Sequence, residues 1–115
     1  MILLLAAVPV RAGEVSVWSG GVGDEERLAA PYGNVKIVLF QQGGNYLADA
    51  EVVIYDLTRR KVVVREQVKG PWCIVDLPPG SYSVLASRKN GDRQGTRFVV
   101  AQDKNVEFSL MFPAR

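Results

Sequence analysis

The chain has 115 residues, of which 48% are apolar and 23% are charged, and its formal net charge at pH 7 is +2. This length supports one domain with its own core, and the composition is that of a globular protein, not of a disordered or membrane-embedded one. The 14 basic residues are spread along the sequence, so no nucleic-acid-binding surface is indicated.

The amino end is apolar over Ile2–Val10 and continues with Arg11 and Ala12. Val10, Arg11 and Ala12 fit the small-x-small pattern that signal peptidase recognises, so we predict a signal peptide over residues 1–12. The alternative is that Ile2–Val8 forms an additional β-strand. The segment is too short for a transmembrane helix, and a periplasmic or secreted protein without a transmembrane span is therefore predicted.

Residues 13–33 are predicted to form an N-terminal arm with a short helix. A short extended piece, Glu14–Trp18, precedes a glycine-rich loop over Ser19–Gly23. Asp24 is a suitable N-cap for one or two helical turns over Glu25–Ala30. The glycines do not indicate a phosphate-binding loop, because the acidic residues that follow would repel phosphate and no Lys-Ser or Lys-Thr pair is present.

From Asn34 onward, β-branched and aromatic residues alternate with polar ones in short runs separated by turn residues, which is typical of a β-sandwich. The turn chemistry of Lys89–Asp92 predicts a tight hairpin. A two-layer antiparallel sandwich over residues 34–115 is the simplest way to bury the apolar strand faces. Seven strands are predicted, at Val35–Phe40, Leu47–Tyr55, Lys61–Val68, Trp72–Leu77, Ser81–Arg88, Thr96–Ala101 and Val106–Phe112.

A corner motif separates the fourth and fifth predicted strands. Pro79 fixes φ, Gly80 allows a backbone conformation that bulkier residues avoid, and Tyr82 can bury its ring while its hydroxyl bonds to the backbone. A structural role is therefore assigned to Leu77, Pro78, Pro79, Gly80 and Tyr82.

The stretch Gly70–Val84, which reads GPWCIVDLPPGSYSV, resembles the carboxypeptidase regulatory-like domains, relatives of the transthyretin-like and collagen-adhesin B-type sandwiches. The shared pattern is a strand that ends in Leu, then Pro and Gly, then a Tyr that opens the next strand. Ala48–Tyr55 is similar to the family's second strand. The resemblance, over roughly Val35 to Phe112, implies a seven-stranded Greek-key sandwich in secreted or envelope proteins, but it specifies no activity.

The residues that carry most enzyme chemistry are scarce. The sequence has no histidine, and its one cysteine, Cys73, lies in an apolar strand where a buried thiol acts as a small hydrophobic side chain. The hydroxyisourate hydrolases among the transthyretin relatives depend on histidines, so their activity is not carried over. Asp49, Glu51, Asp56 and Asp76 are expected on solvated faces. We therefore predict no catalysis, no metal and no cofactor.

The adhesin relatives can carry an isopeptide bond between Lys and Asn that a buried acid promotes. The nearest residues here are Lys36, Glu51 and Asn105. Because Asn105 is predicted in a turn and no matching motif flanks Lys36, this bond is not predicted.

Trp72 and Trp18 are the candidate ligand-binding residues. Alternation places Trp72 on the outer face of its strand, opposite Cys73. We favour the interpretation that the N-terminal arm covers Trp72, and the alternative is a stacking platform for a ligand. The basic hairpins at Arg59–Lys61 and Arg88–Arg93 are solvated turns or, alternatively, sites for anionic glycans or lipid headgroups.

These residues together predict a non-catalytic accessory or protein-interaction domain of the bacterial periplasm or cell exterior. Its partner would be an envelope or extracellular protein, and not a nucleic acid. The alternative is a small-ligand or carbohydrate-binding module that uses exposed aromatics and takes a glycan as its partner.

Overall fold

The computed structural model describes residues 17–23, 25, 32–43 and 49–113, and these residues form two four-stranded sheets. The strand order is β1-β5-β2-β8 in the first sheet and β4-β3-β6-β7 in the second sheet. The strands are β1 (Val17–Gly20), β2 (Val35–Gln41), β3 (Glu51–Asp56), β4 (Lys61–Gln67), β5 (Trp72–Val75), β6 (Gly80–Ser87), β7 (Arg93–Val100) and β8 (Val106–Phe112).

The core lies between the two sheets and is built by the alternation that predicted the strands. In β2, Val35, Ile37 and Leu39 are fully buried, while the residues between them are half-buried. In β3, Val52 and Ile54 face the core in the same way. Each of the seven predicted strands overlaps one strand from β2 to β8, so the all-β, two-layer prediction is confirmed.

The predicted number of strands is wrong, because the described residues already form eight. Ser19 and Gly20 were predicted as loop, yet they continue β1 and pair with Cys73 and Trp72 of β5. Gly70 permits this pairing, since a Cβ at that position would collide with the backbone of Gly20. The glycines at this edge therefore serve close backbone packing and not only loop formation.

The prediction of a fully antiparallel sandwich is also wrong. β2 and β8 are parallel over their whole length, from the pair Val35 and Val106 to the pair Gln41 and Phe112. The pairing continues beyond the strand ends, where the amide of Gln42 donates to the Phe112 carbonyl at 2.7 Å. No hairpin joins these two strands, since β3 to β7 lie between them in the sequence, so no tight turn imposes an antiparallel direction.

The short N-terminal helix is not part of the fold that the described residues establish. The predicted helical range Glu25–Ala30 lies outside those residues except for Glu25, and the eight elements whose bounds fall in the described ranges are all strands. The predicted signal peptide over residues 1–12 also lies outside the described part of the chain. Within that part, no helix is long and apolar enough to cross a membrane.

The hairpin predicted at Lys89–Asp92 is confirmed. The amide of Arg88 donates to the Asp92 carbonyl at 2.8 Å, and the Asn90 side chain accepts from the Asp92 amide at 2.8 Å. Gly91 has a φ of 98°, a left-handed conformation that glycine adopts without a steric cost. This turn joins β6 to β7, which is the outermost strand of the second sheet.

Candidate functional site

A groove of about 600 Å³ opens between β7 and β8, where the edges of the two sheets lie side by side. The edge of each sheet thus forms one wall of the groove. The residues that line it are Gln94, Gly95, Thr96, Arg97, Phe98, Val106, Phe108, Ser109, Leu110 and Met111.

The floor of the groove is aromatic and continuous with the core. The ring of Phe98 stacks on Tyr82, with centroids 5.6 Å apart, and contacts the tilted ring of Phe108 at 5.1 Å. Tyr82 is fully buried, Phe98 is nearly so, and Phe108 is half-buried toward the groove. This aromatic row gives the groove a firm apolar base.

The walls of the groove expose apolar side chains and basic charge. Met111 on β8 lines the groove and is 49% exposed, and Val99, next to the lining residue Phe98, is 64% exposed on the outer face of β7. Arg93 and Arg97 lie on the same outer face of β7 as Val99, and neither forms an ion pair with another described residue. Exposed apolar groups beside arginines at the edge of a groove are typical of protein-binding surfaces.

The two predicted ligand-binding tryptophans lie on the outer face of the first sheet. Trp18 of β1 pairs with Ile74 of β5, and Trp72 pairs with Gly20, so the tryptophans are diagonal neighbours on adjacent strands. Both are half-buried. Alternation placed Trp72 on the outer face, but the sequence could not show that Trp18 is adjacent to it, because Glu14–Trp18 was predicted only as an extended piece without a pairing partner.

Two residues cover part of Trp72. The Nζ atom of Lys36 lies 3.5 Å from the centroid of its ring, a cation–π contact. Gly21 packs against Trp72 near its Cγ atom, since a Cβ at Gly21 would be 2.8 Å from that atom. Gly21 belongs to the predicted N-terminal arm, so this contact fits the interpretation that the arm covers Trp72.

A smaller pocket of about 260 Å³ lies beside Trp72 and does not include Trp18. Among the described residues, Asn105 donates from Nδ2 to the Tyr32 hydroxyl at 3.2 Å. Tyr32 and Glu107 were missed as site residues because nothing local in the sequence places them near Trp72. The residues that line the pocket are Tyr32, Gly33, Lys36, Trp72, Ile74, Asn105, Val106 and Glu107.

The predicted corner motif lies at one end of the sandwich. Leu77 and Tyr82 are buried, and the Tyr82 hydroxyl donates to the Pro78 carbonyl at 2.6 Å. Burial raises the pKa of Tyr82 above its ordinary value. Gly80 has a φ of 159°, a value that larger side chains rarely adopt. Pro78 and Pro79 are exposed, so the motif presents prolines to solvent and keeps its large side chains in the core.

Asp56 corrects the expectation of a solvated carboxylate, because it is only 1% exposed. Its Oδ1 atom accepts from the backbone amides of Thr58 at 3.0 Å and Arg59 at 2.9 Å, and its Oδ2 atom lies 2.7 Å from the Arg59 guanidinium. The Arg59 amide is the main cause of a lowered pKa at Asp56, against the opposing effect of burial. Asp56 therefore closes the β3–β4 turn beside its cross-strand neighbour Tyr82.

Asn34 ties the corner to the first sheet and was not singled out in the sequence. Its Nδ2 atom donates to the Leu77 carbonyl at 2.7 Å, and its Oδ1 atom accepts from the Leu77 amide at 2.9 Å. The Asn34 carbonyl accepts from the Val106 amide at 2.8 Å. One asparagine thus connects the start of β2, the end of β5 and the start of β8.

The two basic hairpins do not form one surface. β3 and β6 are antiparallel, so the turn with Arg59–Lys61 lies at the start of β6, whereas Arg88–Arg93 follows its end. The isopeptide triad is not assembled either. Lys36 and Asn105 line the same pocket on the first sheet, but Glu51 is on the second sheet and forms an ion pair with Arg65 at 3.5 Å.

Cys73 is buried in the core, and burial raises its pKa to about 12, which keeps the thiol protonated. The described ranges hold no group of three or more His, Cys, Asp or Glu side chains that could coordinate a metal. No protein-family model matches the chain, and no curated protein matches it.

Proposed function

We propose that the chain is a non-catalytic accessory or protein-interaction domain of the bacterial periplasm or cell exterior. The groove between β7 and β8 is its contact surface, and this groove is the observation that carries the proposal. It combines an aromatic floor with exposed apolar and arginine side chains along one edge, the composition by which interface centres differ from ordinary surface. The proposed location rests on the predicted signal peptide, residues 1–12.

We propose in addition that the chain is a member of the carboxypeptidase regulatory-like family with its Greek-key topology. Two features of the corner support this proposal: Leu77 and Tyr82 are buried on either side of the Pro-Pro-Gly turn, and the Tyr82 hydroxyl bonds to the backbone of the turn. Both features follow from the residues that carry the resemblance. The fold alone implies no activity, so the function is argued from the groove.

Photo-crosslinking from the groove wall tests the interaction function. A photoreactive phenylalanine analogue replaces Val99 on β7, and the labelled protein is irradiated in a bacterial envelope extract. We expect a discrete adduct of defined mass, because Val99 follows the groove-lining residue Phe98 on β7 and its side chain is 64% exposed. The matched control carries the same analogue at Val62 on β4, the opposite edge of the same sheet, where the side chain is 43% exposed.

The control must give no adduct of the same mass. Equal labelling from Val62 and Val99, or no adduct at Val99 across extracts, would contradict an interaction function at this groove. Both positions are exposed, so neither substitution is expected to change the free energy of unfolding by more than about 0.5 kcal/mol.

The pocket beside Trp72 favours a second function, binding of a small ligand or a carbohydrate. Its specific support is the combination of two aromatic rings, those of Trp72 and Tyr32, with the polar groups of Tyr32, Lys36, Asn105 and Glu107. Sugars are commonly held by a ring that stacks on their apolar face and by polar groups that bond to their hydroxyls. Trp18 lies outside this pocket, so Trp72 is the tryptophan that would report on binding there.

Tryptophan fluorescence tests this second function. The chain has two tryptophans, so the substitution Trp18→Phe leaves Trp72 as the reporter. Sugars selected on a glycan array are then titrated, and a true ligand is expected to shift the emission and to lose affinity when Lys36→Met removes a pocket cation. If no sugar changes the emission, or if Lys36→Met leaves the affinity unchanged, the carbohydrate-binding function is contradicted.

A further inference from the structure

We propose that β7 binds an extended acidic segment of the partner protein as an added strand of the second sheet. This inference rests on the proposed interaction function and states the chemistry of the partner. The added strand would pair with the backbone edge of β7. One of its faces would contact the arginines of β7, and the other would enter the groove beside β7.

The backbone of β7 is suited to strand addition. It pairs with β6 along eight consecutive residues, from Arg93 to Val100, without a register shift. As the last strand in its sheet it leaves the backbone groups of alternate residues without a strand partner on the other side. The other edge of this sheet is less regular, because the register between β3 and β4 shifts after Ile54, and such irregularities discourage pairing.

The side chains of β7 indicate which segment fits. On its outer face Arg93 and Arg97 are separated by Gly95, are exposed, and form no ion pair with the other described residues. On its inner face Gln94, Thr96 and Phe98 line the groove. A strand laid beside β7 therefore places one set of alternate side chains against two arginines and the other set in an apolar groove.

This alternation defines the preferred segment as acidic, apolar, small, apolar, acidic. The two acidic residues are four positions apart, which matches the separation of Arg93 and Arg97 along β7. The two apolar residues enter the groove above Phe98 and Phe108. Side chains on opposite faces of one extended segment thus recognise both features at once, as in other complexes formed by strand addition.

The same charges argue against a second copy as the occupant. If two β7 strands paired antiparallel about Gly95, each Arg93 would lie opposite the Arg97 of the other copy. Like charges directly opposite each other destabilise a strand pair. An acidic segment from a different protein satisfies both arginines.

A defined peptide tests the proposal. The probe is a fluorescein-labelled peptide with a central glutamate, valine, serine, valine, glutamate run, and its binding is followed by fluorescence anisotropy. Two N-methylated versions block the amides of alternate residues, one set in each peptide. Because only one set of amides faces β7, one version is expected to lose at least roughly tenfold in affinity while the other retains it.

Charge reversal and hydrogen exchange complete the experiment. The double substitution Arg93→Glu with Arg97→Glu is expected to weaken the glutamate peptide roughly tenfold and to favour a lysine version of it. Arg65→Glu on the opposite edge strand is the matched control and is expected to leave both affinities unchanged. Bound peptide is expected to slow hydrogen exchange at alternate β7 amides, a signature that simple charge attraction does not produce.

Strand addition is overturned if both N-methylated peptides bind equally, if charge reversal has no effect, or if the protein binds none of the peptides and β7 amides gain no protection. If Val99 gives a crosslinked adduct and any of these results is also found, the proposed interaction function stands and only the strand-addition mode is rejected. If neither an adduct nor peptide binding is found, the proposed interaction function is rejected as well. Concentration-dependent dimerisation through β7 would instead identify a second copy as the occupant and overturn the proposal.

Discussion

Replacing Asp56 by alanine is expected to lower the free energy of unfolding by about 3 kcal/mol, the larger part of which comes from two unpaired amides. The Asp56 carboxylate accepts from the backbone amides of Thr58 and Arg59, and it is almost completely buried. Without it, both amides lose the acceptor that the buried Asp56 side chain holds in place. The ion pair with Arg59 adds less, because the arginine side chain is 52% exposed. Urea unfolding followed by tryptophan fluorescence measures the change.

The charge of Asp56 also predicts a pH dependence. Its pKa is lowered in the folded protein, mainly by the Arg59 amide, so its contribution to stability is complete above the unfolded-state pKa of about 4. This contribution is lost as the pH falls further, through the folded-state value. Asp56→Asn keeps an acceptor but no charge, so its stability deficit should be constant from pH 7 to about 5 and shrink below about 4.

Asp76→Ala is the control for both measurements, because Asp76 is an exposed aspartate. It is expected to change the free energy of unfolding by less than about 0.5 kcal/mol. If the Asp56→Ala variant unfolds with the same free energy as the wild-type protein, the stabilising role of this carboxylate is refuted. So would an Asp56→Asn deficit that stays constant down to the lowest pH at which both proteins fold.

Replacing Asn34 by alanine is expected to cost about 2 kcal/mol, because both polar groups of Leu77 lose their partner in one step. Asn34→Asp gives a sharper test. At neutral pH the new carboxylate still accepts from the Leu77 amide but faces the Leu77 carbonyl without a proton to donate. Its pKa should therefore be raised in the folded state, so the variant should recover stability as the pH falls through that raised value.

Asn105→Asp is the matched control, since Asn105 is exposed and its side chain bonds only to the Tyr32 hydroxyl among the described residues. Thermal unfolding between pH 7 and pH 4 measures all three proteins. If Asn34→Asp showed no recovery relative to Asn105→Asp, the two bonds to Leu77 would not contribute in the way proposed.

The strands were predictable because their signal is local. In β2, Val35, Ile37 and Leu39 alternate with half-buried residues, and the same period of two is readable in the sequence. β1 was missed because Gly20 and Gly21 suggest a loop, whereas Gly20 is part of a strand. The sequence contains the glycines but not the neighbour, Gly70, whose close approach explains one of them.

The candidate sites were less predictable because they depend on distant residues. The groove exists only where β7 and β8, the edges of two different sheets, come together. Asp56 was expected in solvent because an acidic residue before a turn is usually exposed, and its burial depends on packing beside Tyr82. Asn34 lacks any sequence signal, since its partner Leu77 follows β5, 43 residues later in the chain.

The parallel pair of β2 and β8 has a consequence for the order in which the protein folds. Three neighbouring pairs of the second sheet, β3–β4, β3–β6 and β6–β7, join strands that are close in sequence, so this sheet can assemble early. The first sheet cannot be completed until β8 is available, because β8 pairs with the much earlier β2. Until then the edge of β2 has no partner on that side while the second sheet can already be formed, and this is the interval in which a chaperone would act.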